Sequence, residues 1–127
     1  MDKQKCAGAA QAYRRLTVMA LKALNLPNVS MYLDAGHGGW LGWKANLDPA
    51  VKLFSDIYNQ AGKPSSVRGL ATNVANYNDY NKNPGSCPSY TKGNDNCNEA
   101  KYIKAMGPLL KAKGFNAHFI VDTCKSH

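Results

Sequence analysis

The 127-residue sequence lacks any long hydrophobic run. No uninterrupted apolar stretch approaches the roughly 18 residues that a membrane-spanning helix needs, so no transmembrane segment is expected. The residues from Met1 to Cys6 do not lead into the apolar core of a signal peptide, and the start is not visibly that of a secreted precursor. With 44% hydrophobic and 19% charged residues, the composition is that of a globular chain. The length fits one ordinary domain or a piece of a larger one.

Acidic residues are scarce. Eight Asp and Glu against sixteen Lys and Arg give a net charge of +8, a surplus that is also seen in nucleic-acid-binding proteins. The basic residues are nevertheless scattered, and the sequence has no zinc-finger spacing, no aromatic RNA-binding strand and no basic run of five or more. We therefore expect a solvated basic surface and no nucleic-acid partner.

Cysteines are few, and none occurs at the CxxC spacing of a metal knuckle or a thioredoxin motif. Cys87 and Cys97 bracket a loop rich in Gly, Pro, Ser and Asn. A disulfide closing this loop would stabilise the fold by about 2–3 kcal/mol and would imply an oxidising, extracellular setting. The alternative is two free thiols in a cytosolic loop. No His, Cys and carboxylate cluster has metal-site spacing, so neither a metal nor a cofactor is expected.

Hydrophobic periodicity predicts alternating helices and strands. The predicted helices cover residues 9–26, 50–58 and 99–113, and the predicted strands cover 29–33, 67–72 and 118–121. Asp48 and Pro49 are expected to be the N-cap and first-turn proline of the second helix. The order helix-strand-helix-strand-helix-strand predicts an α/β fold whose parallel strands are joined by right-handed crossovers, as in an arc of a barrel.

Polar residues follow the predicted strands. In parallel α/β folds, binding sites form at the carboxyl ends of the strands, and the side chains expected there are Asp34, His37, Asn73, Asn76 and Asp122.

Both tryptophans of the chain, Trp40 and Trp43, lie in the glycine-rich segment 35–43 that follows the first strand. An exposed indole face beside polar side chains suits a sugar ring, which stacks its apolar face and hydrogen-bonds through its hydroxyls. The alternatives are that the tryptophans cap a core, that His37 is structural and that Asp34 only caps the following turn. The segment has no phosphate-loop pattern. The residues therefore favour a carbohydrate-facing site.

Residues 32–43, which read Tyr-Leu-Asp-Ala-Gly-His-Gly-Gly-Trp-Leu-Gly-Trp, closely resemble the long motif of family 6 glycoside hydrolases, the fungal cellobiohydrolases and related endoglucanases. The resemblance continues through residues 68–78 and takes in shorter matches between about residues 5 and 122. It implies a distorted (β/α) barrel in which a cellulose chain runs through a cleft or tunnel. It also implies hydrolysis of β-1,4-glucosidic bonds with inversion of the anomeric centre.

The resemblance also implies roles for single residues. His37, Trp40 and Asn76 would contact glucosyl units on the leaving-group side of the cleft, and Trp43 would form a further stacking platform. Asp34 would support the hydrogen bonds beside the reacting centre. The family's catalytic acid lies in a motif upstream of this sequence, and its candidate base lies downstream.

On this resemblance, residues 1–127 are expected to be the central part of the catalytic domain of a secreted cellulase. Such an enzyme would bind β-1,4-glucan, would be monomeric when complete and would not bind membranes. The chain by itself is expected to be inactive and marginally stable, because an arc of a barrel leaves two open sheet edges and uncovered apolar surface. The alternative is a non-catalytic glucan-binding module that uses Trp40 and Trp43.

The sequence departs from the family pattern at two places. The loop with Cys87 and Cys97 resembles an insertion of some members, and residues 124–127 replace the usual continuation. The family's partner for Cys6 lies upstream. Since the first and third of three neighbouring strands are about 10 Å apart, beyond the roughly 7 Å limit of a disulfide, Cys6 and Cys124 are expected to stay unpaired.

Overall fold

A computed structural model describes residues 3–81 and 87–123 of the chain. Within these ranges the order of elements is as follows: α1 (Lys3–Ala23), β1 (Met31–Asp34), α2 (Gly38–Leu41), α3 (Lys44–Gln60), β2 (Val67–Thr72), a 3₁₀ turn (Ser89–Thr91), α4 (Glu99–Ala112) and β3 (His118–Val121). None of the helices in the described ranges is long and apolar enough to cross a membrane.

The three strands form one parallel sheet in the order β1-β2-β3. Leu70 of the central strand pairs with Leu33 on one side and with Phe119 on the other. The α/β prediction and the parallel strands are confirmed, and β2 and β3 have the predicted bounds. Because the strands are parallel, their carboxyl ends lie at one edge of the sheet, which is where the candidate site forms.

The core joins the sheet to α3 and α4. Tyr102, Met106 and Leu110 lie four residues apart on α4 and are fully buried, so they form the single apolar stripe of an amphipathic helix. The side chain of Asn98 caps this helix by accepting a hydrogen bond from the Lys101 N–H at 2.9 Å. A buried stripe and a good N-cap explain why α4 was predicted to within one residue.

Helix α1 is packed much more loosely than the others. Among its described side chains Leu21 is the buried one, whereas Tyr13, Leu16 and Met19 are 75%, 54% and 57% exposed. A cavity of about 850 Å³ lies between this helix, α3 and Trp40. The apolar surface expected of an arc is therefore present on α1, while the predicted marginal stability stays a prediction.

The expected start of the second helix is wrong. Helix α3 begins at Lys44 with Trp43 as its N-cap, and Pro49 lies inside it. The Trp43 carbonyl accepts hydrogen bonds from the N–H groups of Asn46 and Leu47 at 2.8 and 2.9 Å. This first turn forms upstream of Pro49, which then removes one bond of the helical ladder without ending the helix.

Part of the glycine-rich segment 35–43 forms the short helix α2. The His37 carbonyl accepts hydrogen bonds from the N–H groups of both Trp40 and Leu41 at 3.0 Å.

Helix α1 ends at Ala23, three residues before its predicted end. Pro27 cannot continue a helix, and it also restricts the backbone of the residue before it.

A disulfide joins Cys87 and Cys97, whose Cα atoms are 5.4 Å apart, as the sequence analysis expected. The loop that it closes packs on α2. Asn94 Nδ2 donates to the Gly38 carbonyl at 2.8 Å, and Asn96 Nδ2 donates to the Gly42 carbonyl at 2.9 Å. Cys6 is free and exposed, and Cys124 lies outside the described residues. The disulfide-closed loop thus supports the glycine-rich segment from one side.

Candidate functional site

The site is built on the turn that follows β1. Asp34 Oδ1 accepts a hydrogen bond from the Gly36 N–H at 2.9 Å, and Gly36 has a φ of +59°, which favours glycine. A Cβ on Gly36 would lie 2.8 Å from Trp40 Cε3, so the indole packs directly over this turn. The Asn73 N–H donates to the Gly36 carbonyl at 2.8 Å and ties the turn to the end of β2. Asp34 therefore does cap the turn, which was one of the two roles considered for it.

Four of the predicted site residues meet in one cleft. Its volume is about 250 Å³, and its lining is Asp34, Gly36, His37, Trp40, Ala75 and Asn76. Asp34 and His37 come from the end of β1, and Asn76 comes from the segment after β2, so the parallel sheet brings together residues about 40 positions apart in sequence. The cleft does not include Trp43, Asn73 or Asp122.

Trp40 presents its indole to solvent. The side chain is 58% exposed, and its ring centroid is 6.4 Å from that of His37, with the two rings tilted by 50°. Asn46 Nδ2 donates to the Trp40 carbonyl at 2.9 Å, which fixes the backbone that carries the indole. A core-capping role does not fit Trp40, because more than half of its surface remains open.

Trp43 is placed differently. It is half-buried, and its Nε1 donates to the Gly39 carbonyl at 2.9 Å. This bond braces the turn between α2 and α3, so Trp43 has a structural contact that Trp40 lacks. Its predicted role as a second stacking platform stays a prediction.

The side chain of Asn73 hydrogen-bonds to backbone groups and does not line the cleft. It is 1% exposed and has a φ of +63°, a conformation that asparagine tolerates better than most residues. Its Nδ2 donates to the carbonyls of Asn78 and Asp122 at 2.9 Å each, and its Oδ1 accepts from the Asn78 N–H at 2.9 Å. Asn73 therefore joins the ends of β2 and β3.

Two polar atoms of the cleft residues are buried without a partner among the described residues. They are Nδ1 of His37 and Nδ2 of Asn76. Burial lowers the pKa of His37 below its ordinary value of 6.5, and the nearby Glu99 opposes this change. The neutral form of the imidazole, which has one donor and one acceptor nitrogen, therefore predominates at pH 7.

Acidification is expected to destabilise the chain through His37. Because the folded pKa lies below 6.5, the unfolded chain takes up this proton first, and the free energy of unfolding falls as the pH drops through and below that value. Urea unfolding at about pH 7.5 and about pH 5 should show a smaller pH effect in His37→Gln than in the wild type. His118→Gln, at an exposed position on β3, is the control. An equal pH effect in wild type and His37→Gln would contradict the expectation.

Sequence reasoning missed Glu99. Glu99 is the first residue of α4 and is fully buried. Its Oε1 accepts hydrogen bonds from the Gly38 N–H at 2.8 Å and from Asn78 Nδ2 at 2.7 Å. The resemblance includes residues 98–99, but this match assigns no role to Glu99. No motif in the sequence showed that this carboxylate turns inward.

Tyr102 supports the same region from α4. Its hydroxyl donates to the Ala35 carbonyl at 2.8 Å, and burial raises the pKa of the phenol. The hydroxyl therefore stays protonated and keeps its role as a donor. Within the described ranges no group of three His, Cys, Asp or Glu residues could hold a metal ion.

Comparison with known proteins relates the whole chain to one family. A family model described as glycosyl hydrolases family 6 matches residues 1–127. The chain is 62% identical over 126 residues to the probable 1,4-beta-D-glucan cellobiohydrolase C of Aspergillus fumigatus and 59% identical over 126 residues to Exoglucanase-6A of Humicola insolens. These matches cover 99% of this chain but 27% and 26% of the two relatives. The chain thus spans about a quarter of the length of these relatives.

Solved structures agree with this relation. The catalytic core of the cellobiohydrolase Cel6A from Chaetomium thermophilum superposes with a TM-score of 0.88 at 61% identity, covering 94% of this chain and 33% of that one. Cellobiohydrolase II (Cel6A) from Humicola insolens, in complex with glucose and cellotetraose, superposes with a TM-score of 0.90 at 59% identity, covering 97% and 34%. The predicted arc of a distorted (β/α) barrel is confirmed by these superpositions.

Proposed function

The chain belongs to the glycosyl hydrolases of family 6, and we propose that it forms the leaving-group side of the substrate cleft in an enzyme that hydrolyses β-1,4-glucosidic bonds of cellulose with inversion. The proposal is carried by one observation: the open indole of Trp40 lies beside His37 and Asn76 in a cleft at the carboxyl ends of the strands. Residues 1–127 would be the central part of the complete catalytic domain, since the two cellobiohydrolase relatives are almost four times as long as the match.

The chemistry of the cleft suits a glucosyl unit. The apolar face of a pyranose would stack on the Trp40 indole, and its hydroxyls would hydrogen-bond to the polar side chains of His37 and Asn76 that line the cleft. Trp43 would extend the stacking surface along the chain. Asp34, which already fixes the turn through Gly36, would keep its second oxygen for the hydrogen bonds beside the reacting centre.

The size of the cleft supports a short segment of substrate. At about 250 Å³ it is smaller than the roughly 300–1,000 Å³ of sites that enclose a drug-sized ligand, and it shares Asp34, Gly36 and Trp40 with the cavity of about 850 Å³ beside α1. A long glucan chain would therefore contact this cleft with one ring and continue across other parts of a larger enzyme. The relatives fit this picture, since one of the superposed structures contains cellotetraose.

The cleft has too few carboxylates for catalysis, which supports a role in substrate binding. Inversion requires a general acid and a general base about 6.5–9.5 Å apart. In the described part of the chain, Asp34 is the one carboxylate that lines the cleft, and Glu99 is buried behind α2. We infer that the acid and base are supplied by segments beyond this chain, and that residues 1–127 bind glucan but do not hydrolyse it.

An extracellular setting is part of the proposal. The Cys87–Cys97 disulfide persists in oxidising compartments and is rare in the cytosol. Cellulose is an insoluble polymer that an enzyme has to meet outside the cell. The expected partner is accordingly β-1,4-glucan in the form of cellulose or cello-oligosaccharides.

The proposal predicts that the isolated chain releases no reducing sugar from phosphoric-acid-swollen cellulose or barley β-glucan. A chimera in which this chain replaces the matching segment of Humicola insolens Exoglucanase-6A should hydrolyse both substrates, because the surrounding barrel supplies the acid and base. The control is the same relative with the segment deleted.

The outcomes separate the alternatives. Glucan binding by the chain without turnover in the chimera would favour a non-catalytic glucan-binding module. Turnover by the isolated chain that survives re-purification and is lost in Asp34→Asn would show that the chain contains a complete catalytic set, and the proposal would then be wrong.

A further inference from the structure

We propose that Glu99 is a positioning residue of the glucan-binding cleft, because its buried carboxylate holds the backbone of α2 in the place that presents His37 and Trp40. The role in glucan binding rests on the proposed function, whereas the effect of Glu99 on the placement and charge of His37 does not. No motif or resemblance assigned a role to this residue.

The contact between Glu99 and α2 is direct. Glu99 is fully buried, and its Oε1 accepts the Gly38 N–H at 2.8 Å. Gly38 follows His37 in sequence and lies two residues before Trp40. A charge-assisted hydrogen bond in a dry interior holds its partner more firmly than a neutral one. The backbone between the two cleft residues is therefore fixed at this point.

The carbonyl group of Gly38 is also held in place by a hydrogen bond. Asn94 Nδ2 donates to the Gly38 carbonyl at 2.8 Å. A Cβ on Gly38 would lie 2.5 Å from the Asn96 carbonyl oxygen and 2.9 Å from that of Asn98, so the loop approaches closely because the residue is glycine. Glu99 and the disulfide-closed loop thus clamp α2 from two directions, and Glu99 supplies the charged contact.

Glu99 connects this clamp to the sheet. Its Oε1 also accepts from Asn78 Nδ2 at 2.7 Å, and the Asn78 N–H donates to Asn73 Oδ1 at 2.9 Å. Asn73 in turn donates to the Asp122 carbonyl. The network runs from α2 through Glu99 to the ends of β2 and β3, so the carboxylate links the residues that present the sugar-binding groups to the rigid part of the fold.

Glu99 influences the cleft through its charge as well as through its hydrogen bonds. Its Oε2 is buried without a hydrogen-bond partner among the described residues, as is Nδ1 of His37. The negative charge of Glu99 raises the pKa of His37 against the opposite effect of burial. Asp34, the carboxylate that lines the cleft, is exposed and accepts a hydrogen bond from the Gly36 N–H. A purely space-filling residue at position 99 would not influence the imidazole.

Two substitutions separate geometry from charge. Glu99→Gln keeps an acceptor for the Gly38 N–H and for Asn78 but removes the charge, whereas Glu99→Ala removes both. Asp95→Asn, which removes a carboxylate from an exposed position of the neighbouring loop, is the matched control. Cellohexaose affinity is measured by tryptophan fluorescence, and the pKa of His37 is measured by NMR on histidine-labelled chain, with His37→Gln used to assign its signal.

We expect Glu99→Ala to weaken cellohexaose binding by about tenfold or more, because buried donors lose their acceptor. Glu99→Gln should bind within about threefold of the wild type, but its His37 pKa should shift downward. Asp95→Asn should change neither quantity. Because glutamine fills the same space as glutamate, the downward shift of the His37 pKa is the result that a merely space-filling role would not give.

Two results would overturn the proposal. One is a folded Glu99→Ala chain that binds cellohexaose as the wild type does, and the other is a Glu99→Gln chain whose His37 pKa is unchanged. If Glu99→Ala does not fold, the Glu99→Gln titration decides. If the wild-type chain binds no cellohexaose, the proposed function fails, while the His37 titration still decides whether Glu99 acts on the cleft.

Discussion

Trp40→Ala is expected to weaken the binding of cello-oligosaccharides by about 30-fold or more, which corresponds to about 2 kcal/mol for the loss of a central aromatic contact. The indole is 58% exposed, so it contributes little to the core, and the free energy of unfolding should stay within about 0.5 kcal/mol of the wild type. Calorimetric titration with cellohexaose measures the affinity without relying on tryptophan fluorescence, and urea unfolding measures the stability.

Tyr80→Ala is the control for this substitution. Tyr80 is an aromatic residue that is 48% exposed and lies outside the lining of the cleft, so its removal should leave the affinity unchanged. Equal affinities in Trp40→Ala and the wild type would show that the exposed indole is not a glucan platform. A large loss of stability in Trp40→Ala would instead show that the ring supports the turn at Gly36.

Gly69→Ala is expected to destabilise the chain by more than about 3 kcal/mol and to prevent the pairing of β2 with β3. A Cβ on Gly69 would overlap the backbone carbonyl oxygen of His118 on the neighbouring strand. The paired backbone atoms of β3 cannot move aside as a flexible side chain can, so the ladder between β2 and β3 has to open. The midpoint of urea unfolding and amide hydrogen exchange in His118–Val121 would report this change.

Gly8→Ala provides the matched control for the glycine substitution. Gly8 lies within α1, and a Cβ there would meet no atom within 4 Å. The change should stabilise the chain by about 0.5–1 kcal/mol, because alanine is the better helix former. If Gly69→Ala unfolds at the same urea concentration as the wild type, the close approach of the two strands is not a constraint on the fold.

The helices and strands were predicted most accurately where the apolar pattern and the residues at the ends of the element agree. The strands from Val67 and from His118, and the helix from Glu99, have regular apolar patterns with clear ends, and their bounds agree with the structure to within one residue. The start of α3 was not predictable in this way. Asp48 and Pro49 form a good local start signal, but the Trp43 carbonyl closes a helical turn upstream of them. The Trp43 indole is held at this position by its hydrogen bond to the Gly39 carbonyl.

The site was predictable in part for a similar reason. The residue types in segment 35–43 and the parallel order of the strands predicted that Asp34, His37 and Asn76 approach one another, and the cleft brings them together. The roles of Asn73 and Glu99 were not predictable. Both are buried polar residues whose partners lie on other elements, and a linear sequence does not show which polar side chains turn inward.

The sequence by itself determined the family, the α/β order of elements and four of the residues that line the cleft, because these depend on motifs and on short-range periodicity. Only the tertiary structure decided that α2 forms within the glycine-rich segment, that Trp40 stays open while Trp43 is braced, and that Glu99 is buried against Gly38. The sequence has only eight acidic residues, and one of them, Glu99, lies in the interior and does not contribute to the surface. The physical reason is that burial and charge-assisted hydrogen bonds depend on which segments meet in space.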